Sequence, residues 1–343
     1  MERKASMAIA IESDRVASGA RRHASQRLSA LLLAVAALLA ARGAPAAPAG
    51  GPPWVVAPVS APNVMYGTID SAAVGGQVSF HAWLPDAYAT EPGRRFPVLY
   101  WLHGSGSVST GIAPVSAAFD AAVDAGLIPP LIVVFPNGLP YGMWCDAASG
   151  LQPVESMLID DLLPAIDARL RTIPEARARL LEGFSMGGYG AARLGLRHAA
   201  RFAGVSMLGA GPLQLDFLAE GENFQPIELR RQILATVYGN SPAIFEQQSP
   251  WRLAQVHGDS LPQGFPVRQL IGTLDFTLEP NRDFHQHLLD LGIAHEYLEL
   301  PGVGHSVPAI IGALGPAFWR FHREALRSVD VLLADGFEPP AAD

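Results

Sequence analysis

Three short runs of this chain hold residue types whose combination performs nucleophilic acyl transfer. Gly183-Phe184-Ser185-Met186-Gly187 is a G-x-S-x-G pattern, preceded by an apolar run, LLEGF, and followed by MGGYGAARL, a helical segment of small residues. A serine on so tight a strand-to-helix turn sits in strained backbone, and neighbours without a Cβ let the chain reverse that sharply. The helix start also aims free N–H groups, that of Met186 among them, at a developing oxyanion. His103-Gly104-Ser105-Gly106 closes another apolar run, PVLYWL. A loop there supplies a second oxyanion donor, for which the Ser105 N–H is the expected group.

A serine at its free pKa is a poor nucleophile. It needs an imidazole as base, and the imidazole needs a carboxylate to fix its tautomer. Asp275 follows the strand-like Val267–Ile271 through Gly272-Thr273-Leu274, and His305 follows Glu296–Leu300 through Pro301-Gly302-Val303-Gly304. Both lie at the C-terminal ends of successive strands, so both are expected at the same rim as Ser185. His103 precedes the serine and sits in the oxyanion loop, which favours packing or loop bracing over a role as base. Glu279 and Asp283 are the alternatives to Asp275 if the loop runs further. His285 and His287, two apart on a helix, face different directions and suit a metal poorly. Asp160-Asp161 reads as a solvated helix face or cap.

The elements that must position these residues alternate between strand and helix. Strands are expected at 78–84, 97–102, 131–135, 180–184, 202–208, 267–271 and 295–300. Helices are expected at 115–125, 155–170, 186–196, 228–238, 280–291 and 308–326. This alternation predicts an α/β fold with a mostly parallel sheet covered on both faces. The polar stretch 211–265 breaks the pattern and reads as an insertion or cap over the C-terminal edge of the sheet, where such folds bind ligands.

The first 46 residues read as an address. Arg15, Arg21, Arg22 and Arg27 precede an apolar run from Leu28 to Ala41, and Ala44-Pro45-Ala46 resembles a cleavage site. The run is too short to cross a ~30 Å hydrocarbon core comfortably, so a signal peptide with export by the Sec route is expected, ahead of an uncleaved anchor or twin-arginine export. This predicts a secreted or periplasmic protein with no stable membrane insertion once the leader is removed. The domain is expected over 47–329, with an acidic, Pro-rich tail at 330–343. The only lysine is Lys4, and after residue 46 there are 17 basic against 29 acidic residues. No basic stripe is available to follow a phosphate backbone, so no nucleic-acid partner is expected. The single cysteine, Cys145, excludes an intrachain disulfide and lacks zinc-site spacing; a structural thiol is expected.

LLEGFSMGGYGAARLGLRHAARFAG resembles the nucleophile region of the esterase group of α/β-hydrolases, which includes feruloyl and acetyl-xylan esterases, S-formylglutathione hydrolases and mycolyltransferases. PVLYWLHGSGS, VVFPNGLPYGMWCDA, ESMLIDDLLPAIDARLRT, GTLDFTLEPNRDFHQHL and PGVGHS extend the resemblance over about residues 76–326. It implies an α/β-hydrolase fold with a cap-like insertion, a triad of Ser185, Asp275 and His305, and oxyanion donors at Ser105 and Met186. It further implies substrate-binding surroundings formed by His103, Gly104, Trp144 and Tyr189. The implied activity is that of an exported carboxylesterase of feruloyl- or acetyl-esterase type, acting on a small or polysaccharide-linked ester through an acyl-enzyme, without metal or organic cofactor. The alternatives are an acyltransferase to a sugar or lipid alcohol, an S-formylglutathione hydrolase-like thioesterase and a non-catalytic binding module. One departure is Val307, where the family often carries an aromatic two places after the histidine.

Overall fold

A computed structural model of the chain describes residues 52–219 and 225–327. The expected leader and C-terminal tail lie outside the described residues.

Eight strands form one sheet: β1 (Val64–Ser71), β2 (Gly76–Trp83), β3 (Val98–Leu102), β4 (Ile132–Pro136), β5 (Arg179–Phe184), β6 (Gly204–Leu208), β7 (Val267–Gly272) and β8 (Glu296–Leu300). Their order is β1-β2-β4-β3-β5-β6-β7-β8. The β1–β2 hairpin is antiparallel and joins β4 antiparallel, while β4 to β8 run parallel. The central strands VLYWL and IVVFP are buried on both faces, which explains why they read as continuous apolar runs rather than alternating ones. Only β1 has no counterpart among the expected strands. Its sequence VMYGTIDS has no clean alternation, and as an edge strand it is half-buried along most of its length.

Helices cover both faces. On one side, α1 (Ile112–Asp124) packs Ile112, Val115 and Phe119 with Ile310, Phe318 and Trp319 from the C-terminal helices. On the other side lie α2 (Leu163–Arg169), which continues a π-helical turn at Met157–Leu162, and α3 (Met186–Arg197), the helix after Ser185. Between β6 and β7 the chain forms α4 (Ile227–Tyr238), α5 (Pro242–Gln248) and α6 (Pro250–His257), two helices more than the sequence pattern reveals there. Both of these begin with Ser-Pro, a serine cap and a proline at the first helical position. After β7 come α7 (Leu278–Asp290), β8 and α8 (Val307–Leu314). The expected long C-terminal helix is broken at Gly315-Pro316, where Gly315 has φ 51°. A 3₁₀ turn then leads into α9 (Arg320–Ala325). Among the described residues no helix is long and apolar enough to cross a membrane.

Two buried ion clusters tie the layers together. Arg193 of α3, fully buried, donates to Glu155, to the Trp144 carbonyl and to Gln248. Burial alone would raise the Glu155 pKa, but Arg193, His198 and Arg197 bring it below the ordinary carboxylate value. On the opposite face Glu182 of β5 accepts from Arg268 of β7 and is paired with His322 of α9. Removing one member of such a pair strands a buried charge, so Arg193→Leu is expected to destabilise the fold by about 3–5 kcal/mol in urea unfolding.

Candidate active site

The β5–α3 turn carries Ser185 at φ 58°, ψ −121°, a conformation that non-glycine residues rarely adopt. Crowding around it explains the glycines. A Cβ on Gly183 would lie 2.2 Å from the Gly187 carbonyl oxygen, and one on Gly187 would lie 1.9 Å from that of Leu102 in β3. The strained serine is held at both backbone ends. Its N–H donates to the Leu208 carbonyl (2.9 Å), and its carbonyl accepts from Tyr189 N–H (3.0 Å) and Gly211 N–H (3.1 Å).

His305 meets this serine. Its Nε2 lies 2.9 Å from Ser185 Oγ, and its Nδ1 lies 2.7 Å from Asp275 Oδ2. The loops after β7 and β8 are bonded to each other, which sets this spacing: Leu274 N–H donates to the Val303 carbonyl and Gly302 N–H to Thr273 Oγ1. Asp275 has a fully buried side chain, and its second oxygen accepts from both the N–H and the hydroxyl of Thr277, each at 2.8 Å. Two phenyl rings pack tilted against the imidazole, Phe184 at 4.5 Å and Phe276 at 4.4 Å between centroids. Neither the Thr277 brace nor the two phenylalanines were identified from sequence. The Asp-x-Thr spacing was the available signal for the first, because a threonine two places on commonly closes such a turn; the second is a contact between distant loops with no local signature.

The alternative acids point elsewhere. Glu279 pairs with Arg282 on the exposed face of α7, and Asp283 is exposed there too. His285 bonds to His295 and His287 to the Trp251 carbonyl, so the two diverge. Asp161 accepts from Ser71 and from Ala73 N–H at the end of the β1–β2 hairpin.

Of the surroundings expected to touch substrate, Gly104 sits against the serine, with its Cβ position 3.2 Å from Ser185 Cβ. Three other side chains expected there are buried. His103 is buried; its Nδ1 donates to the Gly104 carbonyl and its Nε2 accepts from Gly138 N–H, so it braces the loop from beneath with neither nitrogen free. Trp144 is fully buried, donates to the His103 carbonyl and packs so tightly on α3 that a Cβ on Gly190 would meet its ring at 2.4 Å. Tyr189 is likewise buried, its hydroxyl 3.2 Å from that of Tyr238. These rings read as site residues because they flank the motifs, but they form the floor that holds the motifs in place. Cys145, beside them, is buried, and burial raises its thiol pKa to about 11.

Ser105 is exposed at the tip of its loop, and Met186 is the first residue of α3, where the helix provides no acceptor for its N–H. Two cavities open beside this tip. One, about 50 Å³, is lined by Ser185, Ser105, Met143, Phe276 and residues of the 211–233 segment, including Phe217 and Ile233. The other, about 730 Å³, runs between α1 and α8.

The Esterase family matches residues 71–266, more than half of the sequence. The chain belongs to this family. It is 29% identical over 277 residues to an esterase of Mycobacterium tuberculosis, an alignment that covers 71% of this chain and 56% of that protein. It is 30% identical over 161 residues to an endo-1,4-beta-xylanase/feruloyl esterase of Xylanibacter ruminicola, covering 43% of this chain and 22% of that protein. The chain thus spans about half the length of the mycobacterial relative and a smaller part of the other. Among solved structures it resembles a ferulic acid esterase (TM-score 0.62, 22% identity, 76% of this chain and 98% of that one). It also resembles an S-formylglutathione hydrolase from Agrobacterium tumefaciens (TM-score 0.60, 18% identity, 77% and 95%). At these identities the two structures establish the α/β-hydrolase fold.

Burial pushes the His103 pKa down to about 4. The unfolded chain takes up a proton on this residue below about pH 6.5 while the folded protein does not, so its contribution to stability is present above that pH and is lost as pH falls toward 4. Unfolding free energy measured in urea near pH 7 and near pH 5 is expected to fall by about 2 kcal/mol more in the wild type than in His103→Gln.

Proposed function

We propose that this member of the Esterase family is an exported serine carboxylesterase in which Ser185 is the nucleophile, His305 the general base and acid, and Asp275 the orienting carboxylate. The observation that carries this reading is the continuous relay from Asp275 Oδ2 through both imidazole nitrogens to Ser185 Oγ, at 2.7 and 2.9 Å. His305 Nε2 takes the hydroxyl proton as Oγ attacks the ester carbonyl. The imidazolium that forms is stabilised by Asp275, whose two oxygens accept from the Thr277 N–H, the Thr277 hydroxyl and the Nδ1–H. The oxyanion falls to the amides of Ser105 and Met186, in a pocket where fixed donors stabilise charge without reorganising. His305 then returns its proton to the leaving alcohol. Water attacks the acyl-enzyme by the same relay in reverse.

The feruloyl-esterase reading of the substrate is supported by the names of one relative and of a structural neighbour. The signal-peptide pattern in the sequence supports export.

Hydrolysis of short p-nitrophenyl esters tests the assignment. Ser185→Ala is expected to lower kcat by about 10³-fold or more, and Asp275→Asn by about 10³–10⁴-fold with little change in KM. A serine-directed fluorophosphonate is expected to add its mass to the wild type and not to Ser185→Ala. Equal labelling of both proteins would remove Ser185 from the mechanism.

A further inference from the structure

The groove between α1 and α8 has no role in the relay, yet it begins at the reacting centre. Gly104 and Ser105 line it, and so does Phe184, whose ring packs tilted against that of His305. Phe276, the other ring packed on the imidazole, belongs instead to the small cavity that holds Ser185. Ser105 lines both compartments, so an ester whose carbonyl carbon sits over Ser185 has room to extend into either.

The composition of the groove is selective. Trp101 lines it, with Val115 and Ala118 on the α1 side and Val307 and Ile311 on the α8 side. Among the described residues that line it there is no aspartate, glutamate, lysine or arginine, its one histidine, His103, is buried with both nitrogens occupied, and its side-chain hydroxyls are those of Ser105, Ser107, Thr110 and Ser306. A charged headgroup would find no ionic partner along such walls, and desolvating it without compensation is costly. At about 730 Å³ the groove lies within the size range of small-molecule sites, whereas the cavity at Ser185 is near 50 Å³.

We propose that the groove between α1 and α8 binds an uncharged aliphatic chain of the ester, making this enzyme selective for substrates with a chain of several methylenes. This rests on the serine-esterase reading above, and for the substrate of that same site it puts an aliphatic chain in place of a feruloyl or acetyl group. Each methylene buried there is expected to raise kcat/KM about fourfold until the groove is filled.

The test uses the full chain and two variants that fill the groove from opposite walls. A Cβ on Gly312, in α8, meets no atom within 4 Å, so Gly312→Phe adds bulk without a backbone clash; Ala118→Phe does so from α1. Calorimetry with 2-decanone, which has the chain and a carbonyl but no bond to cleave, is expected to show binding to the wild type that weakens at least tenfold in Gly312→Phe. No binding, or equal binding to both, overturns the proposal whether or not the protein proves catalytic. Kinetics then locate the chain on the substrate. One series lengthens the acyl group of p-nitrophenyl esters; the other lengthens the alcohol of alkyl acetates. One of the two is expected to gain with length in the wild type and lose that gain in both variants, with p-nitrophenyl acetate turnover unchanged. If neither series gains, or if the variants lose acetate turnover as much as long-chain turnover, the assignment is wrong. Binding of 2-decanone without hydrolysis of any ester would overturn the catalytic reading and leave the groove standing.

Discussion

The passage from β5 to α3 turns through a single residue, and the rest of the site is arranged around the room this requires. Ser185 occupies a left-handed backbone conformation that costs of order 1–3 kcal/mol, and such a conformation persists only where the surroundings over-determine it. Here they do. The Leu208 carbonyl, Gly211 and Tyr189 hold the serine's main chain, and the β3 carbonyl of Leu102 presses so closely that no side chain fits at position 187. Beneath the turn, Trp144 fills the space left by Gly190, and Arg193 clamps the following helical turn to Trp144, Glu155 and Gln248. The buried aromatic and ionic floor therefore serves chemistry indirectly, by making the strained turn the best available packing.

The partners of the serine are fixed by a different device. Asp275 and His305 come from separate strands, and nothing in either loop alone sets their distance. The cross-loop hydrogen bonds from Leu274 to Val303 and from Gly302 to Thr273 make one rigid unit of the two loops. Within it Thr277 donates twice to the carboxylate, and Phe276, with Phe184 from the end of β5, packs against the imidazole. A ring packed by two neighbours loses little rotational freedom when it forms its two hydrogen bonds, and such preorganisation suits a proton relay.

How much of this was legible in the sequence follows from which constraints are local. The strand-turn-helix at Ser185 was readable because the turn imposes its own glycines, and the parallel sheet because doubly covered strands are apolar throughout. Asp275 and His305 were readable as ends of strands in the right order. What escaped was set by contacts between distant segments. Trp144 and Tyr189 flank the motifs, and nothing in their local sequence tells a ring that faces substrate from one that supports the loop beneath it. His103, by contrast, was readable as a loop brace from its place in the oxyanion loop, and its two backbone partners hold it there. β1 escaped because edge strands are under weak patterning pressure, and the break at Gly315-Pro316 was overlooked inside a long apolar periodicity.

The imidazole's position also bears on specificity. The two phenylalanines packed against it each line a different compartment, a cramped cavity that includes Ser185 and a roomy, mostly apolar groove. On the proposed roles, a tetrahedral centre on Ser185 would place its oxyanion toward Ser105 and Met186 and its leaving oxygen toward His305, which leaves its remaining substituent one direction to take. Helices α1 and α8 belong to the sheet's own covering layer, whereas the small cavity is roofed largely by the segment between β6 and β7. The groove is thus walled by the sheet's own covering layer. On the proposed assignment, change in the roof would alter the half of the ester above Ser185 while an aliphatic half in the groove kept the same walls.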